Sequence, residues 1–201
     1  AYLAAAKFDQ ALPLSEEVLE KTKARHGPDH LTTITSKYWV ATAYSAAGRQ
    51  NEAEPIFREA LAGLRSKLDF AHPTTQKCFA GLLDCYSKLR QPEKAEPLWR
   101  ELVAFWKEKT GVESPEYAGS LATLSLNLLE QKKFTDAEPV IRECLMIREK
   151  KQPDDWTTFN TKSLLGGSLL GQKKYAEAEP LLVDGYEGLK KREADIPAQG
   201  K

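Results

Sequence analysis

One pattern, Ala-Glu-Pro followed by an aliphatic residue, returns at a fixed interval and leaves few folds open. It reads Ala53-Glu54-Pro55-Ile56, Ala95-Glu96-Pro97-Leu98, Ala137-Glu138-Pro139-Val140 and Ala178-Glu179-Pro180-Leu181. A degenerate copy, Ala11-Leu12-Pro13-Leu14, precedes them. Successive prolines stand 42, 42, 42 and 41 residues apart. A constant period of this size marks a stacked-repeat architecture, in which each unit touches only its neighbours and the array forms one quasi-linear domain.

Each copy can be registered on the alanine of the motif. Nine residues before it stand Tyr44, Tyr86, Leu128 and Leu169; thirteen before it stand Val40, Leu82, Leu124 and Leu165. Lys37, Phe79, Leu121 and Lys162 lie sixteen before it. Offsets of three, four and seven put these residues on one face of a helix, here called A. After the alanine, Phe57, Trp99, Ile141 and Leu182 come four residues later, and Leu61, Val103, Leu145 and Tyr186 eight later. They are the apolar face of a second helix, B. The joint between them is short, as in Ala47-Gly48-Arg49-Gln50, and a short joint makes A and B antiparallel. Breakers such as His26-Gly27-Pro28-Asp29, Ala71-His72-Pro73 and Gln152-Pro153-Asp154 separate one B from the next A.

These signals predict A helices near 31–47, 74–88, 115–130 and 155–171, and B helices near 51–67, 93–109, 135–150 and 175–192. An A-helix remnant over 1–5 and a B helix over 8–25 come first. The expected organisation is a partial repeat 1–25, full repeats 26–68, 69–110, 111–151 and 152–195, and a frayed tail 196–201, all one solenoid. The motif proline is expected near the first turn of helix B, where a missing N–H costs little. The chain begins without methionine and in mid-pattern, so it reads as a piece of something longer.

Composition narrows the function. Twenty-nine basic and twenty-nine acidic residues cancel, which removes the simplest electrostatic reason to expect nucleic acid or an anionic membrane. No run of 18 apolar residues suggests a transmembrane helix. The three cysteines, Cys78, Cys85 and Cys144, form an odd set without disulfide-like spacing, which points to a reducing, cytoplasmic setting. Cys78 and Cys85, seven apart, read as small core side chains rather than half a metal site. His26, His30 and His72 sit in inter-repeat loops without convergent ligands, so neither metal nor cofactor is expected. Gly166, Gly167 and Gly171 lack the context of a phosphate loop and read as points of close helix approach.

The residues Phe79-x2-Leu82-Leu83-x2-Tyr86 with Ala95-x3-Trp99, and Lys37-x2-Val40-Ala41-x2-Tyr44 with Ala53-x3-Phe57, carry a family resemblance. They resemble the tetratricopeptide signature, here in the longer 42-residue, kinesin-light-chain-like form. The stretch from Ser163 to Leu189 also resembles C-terminal arrays of planctomycete-type bacterial proteins, many of which carry a serine/threonine kinase domain upstream. The resemblance implies an all-α, right-handed superhelical solenoid of antiparallel helix pairs whose A helices line a concave surface. That surface would bind a protein or peptide ligand. In the kinesin-light-chain type, paired asparagines on helix A clamp the ligand backbone. The corresponding pairs here are Tyr38-Trp39, Ala80-Gly81, Ala122-Thr123 and Ser163-Leu164, none of them asparagine.

A groove on the A helices, facing away from B, would be lined by Tyr38, Thr42 and Ser45, then by Lys77, Asp84 and Lys88. Leu126, Leu129 and Glu130 follow, and then Asn160, Ser163 and Gly167. The same pattern also fits an ordinary solvated face. Trp39, one position off the core register, reads either as a binding anchor or, with more weight, as packing between repeats. Trp99 and Trp106 read as a core stripe on one B helix. The chain is therefore expected to be a non-catalytic interaction scaffold. Its alternatives are a homo-oligomer formed through exposed terminal helices and a docking segment of a larger bacterial kinase.

Overall fold

The computed structural model describes residues 8–197. The expected remnant at 1–5 and the last four residues of the tail lie outside them. Every regular element among the described residues is an α-helix. The order is α1 (Phe8–His26), α2 (Leu31–Ala46), α3 (Gln50–Lys67), α4 (Pro73–Lys88), α5 (Pro92–Thr110), α6 (Pro115–Glu130), α7 (Phe134–Lys151), α8 (Trp156–Gly171) and α9 (Tyr175–Lys191). The even-numbered helices are the A helices and the odd-numbered ones the B helices. The helix bounds agree with the sequence pattern to within a residue or two.

The chain divides into two compact units, Ala1–Gln91 and Pro92–Lys201, parting at the joint after α4, inside the repeat expected over 69–110. In the first unit α2 packs on α1 and α3, α3 packs on α4, and α2 also meets α4. In the second, α5 to α9 pack in chain order and α6 also meets α8. Each unit thus sets two A helices side by side.

Both ends of the A helices are built by local chemistry. His30, His72, Ser114 and Asp155 cap the N-termini of α2, α4, α6 and α8, each accepting a hydrogen bond from an amide of the first turn. Proline follows the cap at Pro73 and Pro115, where no amide bond is lost. At the other end Gly48, Arg90, Lys132 and Lys173 take positive φ. The next amides, of Arg49, Gln91, Lys133 and Lys174, reach back to the carbonyls of Tyr44, Tyr86, Leu128 and Leu169 at 2.8–2.9 Å. This left-handed closure satisfies the last carbonyls and turns the chain directly into helix B.

The motif prolines sit deeper than expected. Pro13, Pro55, Pro97, Pro139 and Pro180 lie inside α1, α3, α5, α7 and α9, at the sixth residue and not in the first turn. The reason is the closure just described, which starts helix B five residues ahead of the proline. Each proline forgoes one backbone bond to the residue four before it. In α3, α5, α7 and α9 that residue is Asn51, Glu93, Thr135 or Ala176, all exposed, so water can reach the released carbonyl.

The core follows the predicted register. Val40, Leu82, Leu124 and Leu165 are buried, as are Ala53, Ala95, Ala137 and Ala178 of the motif. In the second unit Leu124, Leu128, Ile141, Leu145, Leu165 and Leu169 form one cluster, with Trp99 packed against it, and Trp106 packs on a neighbouring cluster around Tyr117 and Leu121. Glycines mark the closest approaches. A Cβ on Gly81 would meet the Phe57 ring at 2.6 Å, and one on Gly166 would meet Leu182 at 2.7 Å. Gly171 lies against the Phe134 ring, whereas Gly167 has open space beside it.

Candidate functional site on the A-helix faces

Helical geometry places Thr32, Thr35, Trp39, Thr42 and Ala46 along one stripe of α2. The matching positions on α4 are Thr74, Lys77, Gly81, Asp84 and Lys88, and α4 lies beside α2. In the second unit the stripes are Glu116, Gly119, Thr123, Leu126 and Glu130 on α6, and Thr157, Asn160, Leu164, Gly167 and Gly171 on α8.

The structure sorts the expected groove residues. Lys77, Asp84 and Lys88 are exposed, and Asp84 pairs with Lys88 at 2.7 Å along the helix. Thr42 turns its hydroxyl onto the Tyr38 carbonyl at 2.8 Å. Ser45 is half-buried, with its side chain toward the buried Cys85. Leu126 is 49% exposed and Glu130 is exposed, while Leu129 packs against the core cluster. Asn160 is half-buried.

Three readings need correction. Tyr38 is only 7% exposed, with its ring 6.2 Å from that of Phe57 in α3, so it belongs to the core and not to a groove. Ser163 does not face away from helix B. Its hydroxyl lies where a Cβ on Gly185 of α9 would come within 2.2 Å. Trp39 does not disappear into packing: it is 48% exposed, resting beside Tyr38 with ring centres 4.9 Å apart. In each case a one-residue step is 100° of helix rotation, and only the neighbouring helices decide which side of the step is covered. Sequence reasoning missed Glu116 and Gly119 on the second-unit face. The signal that finds them is the helical spacing of three and four residues counted back from Leu126 and Glu130.

Elsewhere the charged groups serve structure. Glu96 accepts from Lys133 at 2.7 Å and from Gln131 at 3.1 Å, and pairs with Arg100. One repeat later Glu138 accepts from Lys174 and Gln172, each at 2.8 Å, and pairs with Arg142. These ties hold the carboxyl groups of Glu96 and Glu138 down at about 2, chiefly through Lys133 and Lys174 respectively. In the first unit the equivalent Glu54 accepts from the Tyr86 hydroxyl at 3.1 Å. Burial pushes the Cys78 thiol up to about 12 and raises Cys85 and Cys144, which disfavours their reactive thiolate form. No group of three or more histidine, cysteine or acidic side chains among the described residues is placed to hold a metal ion. No described helix is long and apolar enough to cross a membrane.

Paired A and B helices of 42-residue period, closed by the same left-handed turn, define an all-α tetratricopeptide-type repeat fold. The tetratricopeptide repeat family model matches residues 1–66. Among solved structures the chain is similar to the nearly identical TPR-like repeats of a Podosopora anserina protein described as a kinesin light chain. The TM-score is 0.74 at 20% identity, covering 94% of this chain and 90% of that one. A single-substitution variant of that protein matches with TM-score 0.73 at 20% identity, over 96% of this chain and 92% of the other. BtubC (BKLC) from P. vanneervenii matches with TM-score 0.68 at 18% identity, over 98% of this chain and 78% of that one. The structural neighbours are thus kinesin-light-chain-like repeat proteins, and at these identities the likeness is one of fold. No curated protein matches the sequence.

Proposed function

We propose that the chain is a non-catalytic interaction module that binds a peptide or a partner protein on the faces of its A helices. Tetratricopeptide repeats generally mediate protein–protein interaction, and the repeat model and the neighbours' fold support the same use here. The observation that carries the reading is the exposure of Trp39, Lys77 and Leu126 along the A-helix stripes. The B-helix glutamates Glu54, Glu96 and Glu138 are engaged in ties between repeats. The A-helix stripes instead present Trp39, Lys77 and Leu126 to solvent. An exposed tryptophan has the character of a binding anchor. Peptide-array binding tests the proposal. Trp39→Ala, Lys77→Ala and Leu126→Lys should each weaken the bound set, with the helical circular dichroism unchanged. Identical binding by all three variants would refute it.

One observation favours a second reading, self-association. Tyr175, Val183 and Tyr186 stand exposed on α9, and Tyr186, at 64%, occupies the register of Leu61 and Leu145, which are buried. A face that neighbours cover elsewhere is open here. Light scattering over a concentration series should then show association that Tyr186→Lys reduces; a monomer at all concentrations would exclude it. None of the structures reported above supports a link to a bacterial kinase, and that alternative is not carried further.

A further inference from the structure

The outer side of α9 carries more exposed apolar surface than any other helix side described above. Tyr175, Val183 and Tyr186 stand open on it. Leu170 of α8, also exposed, extends it. Leu170 holds the register of Ser45, whose side chain meets Cys85 of α4, and of Leu129, which packs on the core cluster. Glu179 belongs to the same side of α9. It stands at the motif position of Glu54, Glu96 and Glu138, whose carboxylates accept from Tyr86, Lys133 and Lys174. The Glu179 carboxylate is exposed and bonds to no other described residue.

A rotation of 100° per residue sets Tyr175, Glu179, Leu182, Tyr186 and Lys190 along one stripe of α9, with Val183 at its edge. The stripe spans about 22 Å and is symmetric about the point between Leu182 and Val183. Turned end for end, Glu179 falls where Tyr186 was, and Tyr175 where Lys190 was. Two copies of α9 laid antiparallel therefore match in charge and hydrogen bonding. The Glu179 carboxylate of one copy faces the Tyr186 hydroxyl of the other. The chain already makes that tie between its own helices, where Glu54 accepts from the Tyr86 hydroxyl at 3.1 Å. Lys190, with its ammonium 5.8 Å from the centre of its own Tyr186 ring, comes level with the Tyr175 ring of the other copy. Leu182 and Val183 meet their counterparts across the axis. The exposed side of α1 is a poorer match for α9: Glu17 lies between Leu14 and Val18 there, so Glu179 would meet a like charge.

Resting on the second reading above, self-association through α9, we infer that the partner is the α9 of a second copy, packed antiparallel about a two-fold axis. Leu182 and Val183 form the centre, and a Glu179–Tyr186 hydrogen bond lies on each side of it. The apolar centre supplies affinity, and the paired hydrogen bonds fix direction and register. Because one face is used on both copies, the assembly closes at two, whereas stacking of unlike ends would keep growing.

Sedimentation velocity of the full chain over a concentration series tests this. The expected result is a monomer–dimer equilibrium with no larger species. Glu179→Lys should weaken the dimer at least tenfold. Adding Tyr186→Glu to that variant should restore it, since lysine 179 of one copy then faces glutamate 186 of the other; the two positions are seven apart in one chain and cannot pair there across an exposed helix. Leu14→Lys should change nothing. Val183→Cys, oxidised in a glutathione buffer, should lock the dimer, because the three native cysteines are buried. A dimer that Glu179→Lys leaves intact, that Tyr186→Glu fails to rescue, or that Val183→Cys fails to lock would overturn the two-fold pairing. Association that Leu14→Lys abolishes, or that grows past two copies, would also overturn it and leave self-association standing. A monomer at every concentration would remove both.

Discussion

Lysine and arginine are costly at positive φ, yet Arg90, Lys132 and Lys173 close their helices there, at φ 54°, 58° and 64°. Only Gly48 of the four equivalent positions has the residue the geometry favours. Lys132→Gly should therefore stabilise the protein by about 0.5–1 kcal/mol, the relief of the left-handed strain less the extra freedom of glycine in the unfolded chain. Urea unfolding of the variant checks this. A second surprise at this scale is Arg148, which is buried on the core side of α7 in the register of Leu64 and Leu189. Its guanidinium donates to the Thr157 carbonyl at 2.9 Å and to the Thr161 hydroxyl at 2.6 Å. An arginine near a helix C-terminus reads as solvated in any sequence pattern. Only the arrival of α8 buries it.

At the scale of elements, helix faces and bounds were well predicted and the closeness of helix packing was not. Periodicity named Phe57, Ile141, Leu128 and Leu169, all of them buried, because an apolar stripe at 3.6-residue spacing has one place to go. It did not show how closely helices approach. Cβ atoms on Gly185 and Gly188 of α9 would lie 2.2 Å from the Ser163 hydroxyl and 1.9 Å from the Phe159 ring of α8. Gly185→Ala should thus cost about 2 kcal/mol despite alanine's better helix propensity, because a backbone oxygen and a backbone nitrogen of α8, each 2.9 Å away, cannot step aside. Thermal unfolding of that variant checks the sign. The ties of Glu96 and Glu138 add a pH dependence. Their carboxyl groups lie at about 2 in the folded protein against 4.5 ordinarily, so the unfolded chain takes up these protons first. The stability from these ties is present above pH 4.5 and is lost as pH falls through about 2. Glu96→Gln with Glu138→Gln should flatten that acid limb, measured as urea midpoints from pH 5 to 2.5. A limb of unchanged steepness would show the ties to be inconsequential.

For the whole molecule, stability should be a property of neighbours in series. The pair α8–α9 shares its core with Leu124, Leu128, Ala137, Ile141 and Leu145 of α6 and α7. Residues 155–192 made alone should accordingly show little helix by circular dichroism, even though that pair packs closely in the chain. A cooperative thermal transition of the isolated pair would contradict this. The exposed ends belong to the same logic. Leu14 and Val18 on α1, like Tyr186 on α9, stand where the pattern elsewhere is covered.

The sequence by itself determined the helix pairs, their period and their core, because each depends on local spacing and the hydrophobic effect acts on any stripe of that spacing. The tertiary structure alone decided which residues beside the stripe stay open. Trp39 and Leu126 remain exposed, while Tyr38, Ser163 and Arg148 are enclosed or packed against a neighbour. It also decided which glutamates become ties, through partners 34 to 37 residues away. A helix rotates 100° per residue, so whether a flanking position meets water or a neighbour depends on where the next helix lies, and a pattern within one repeat does not encode that.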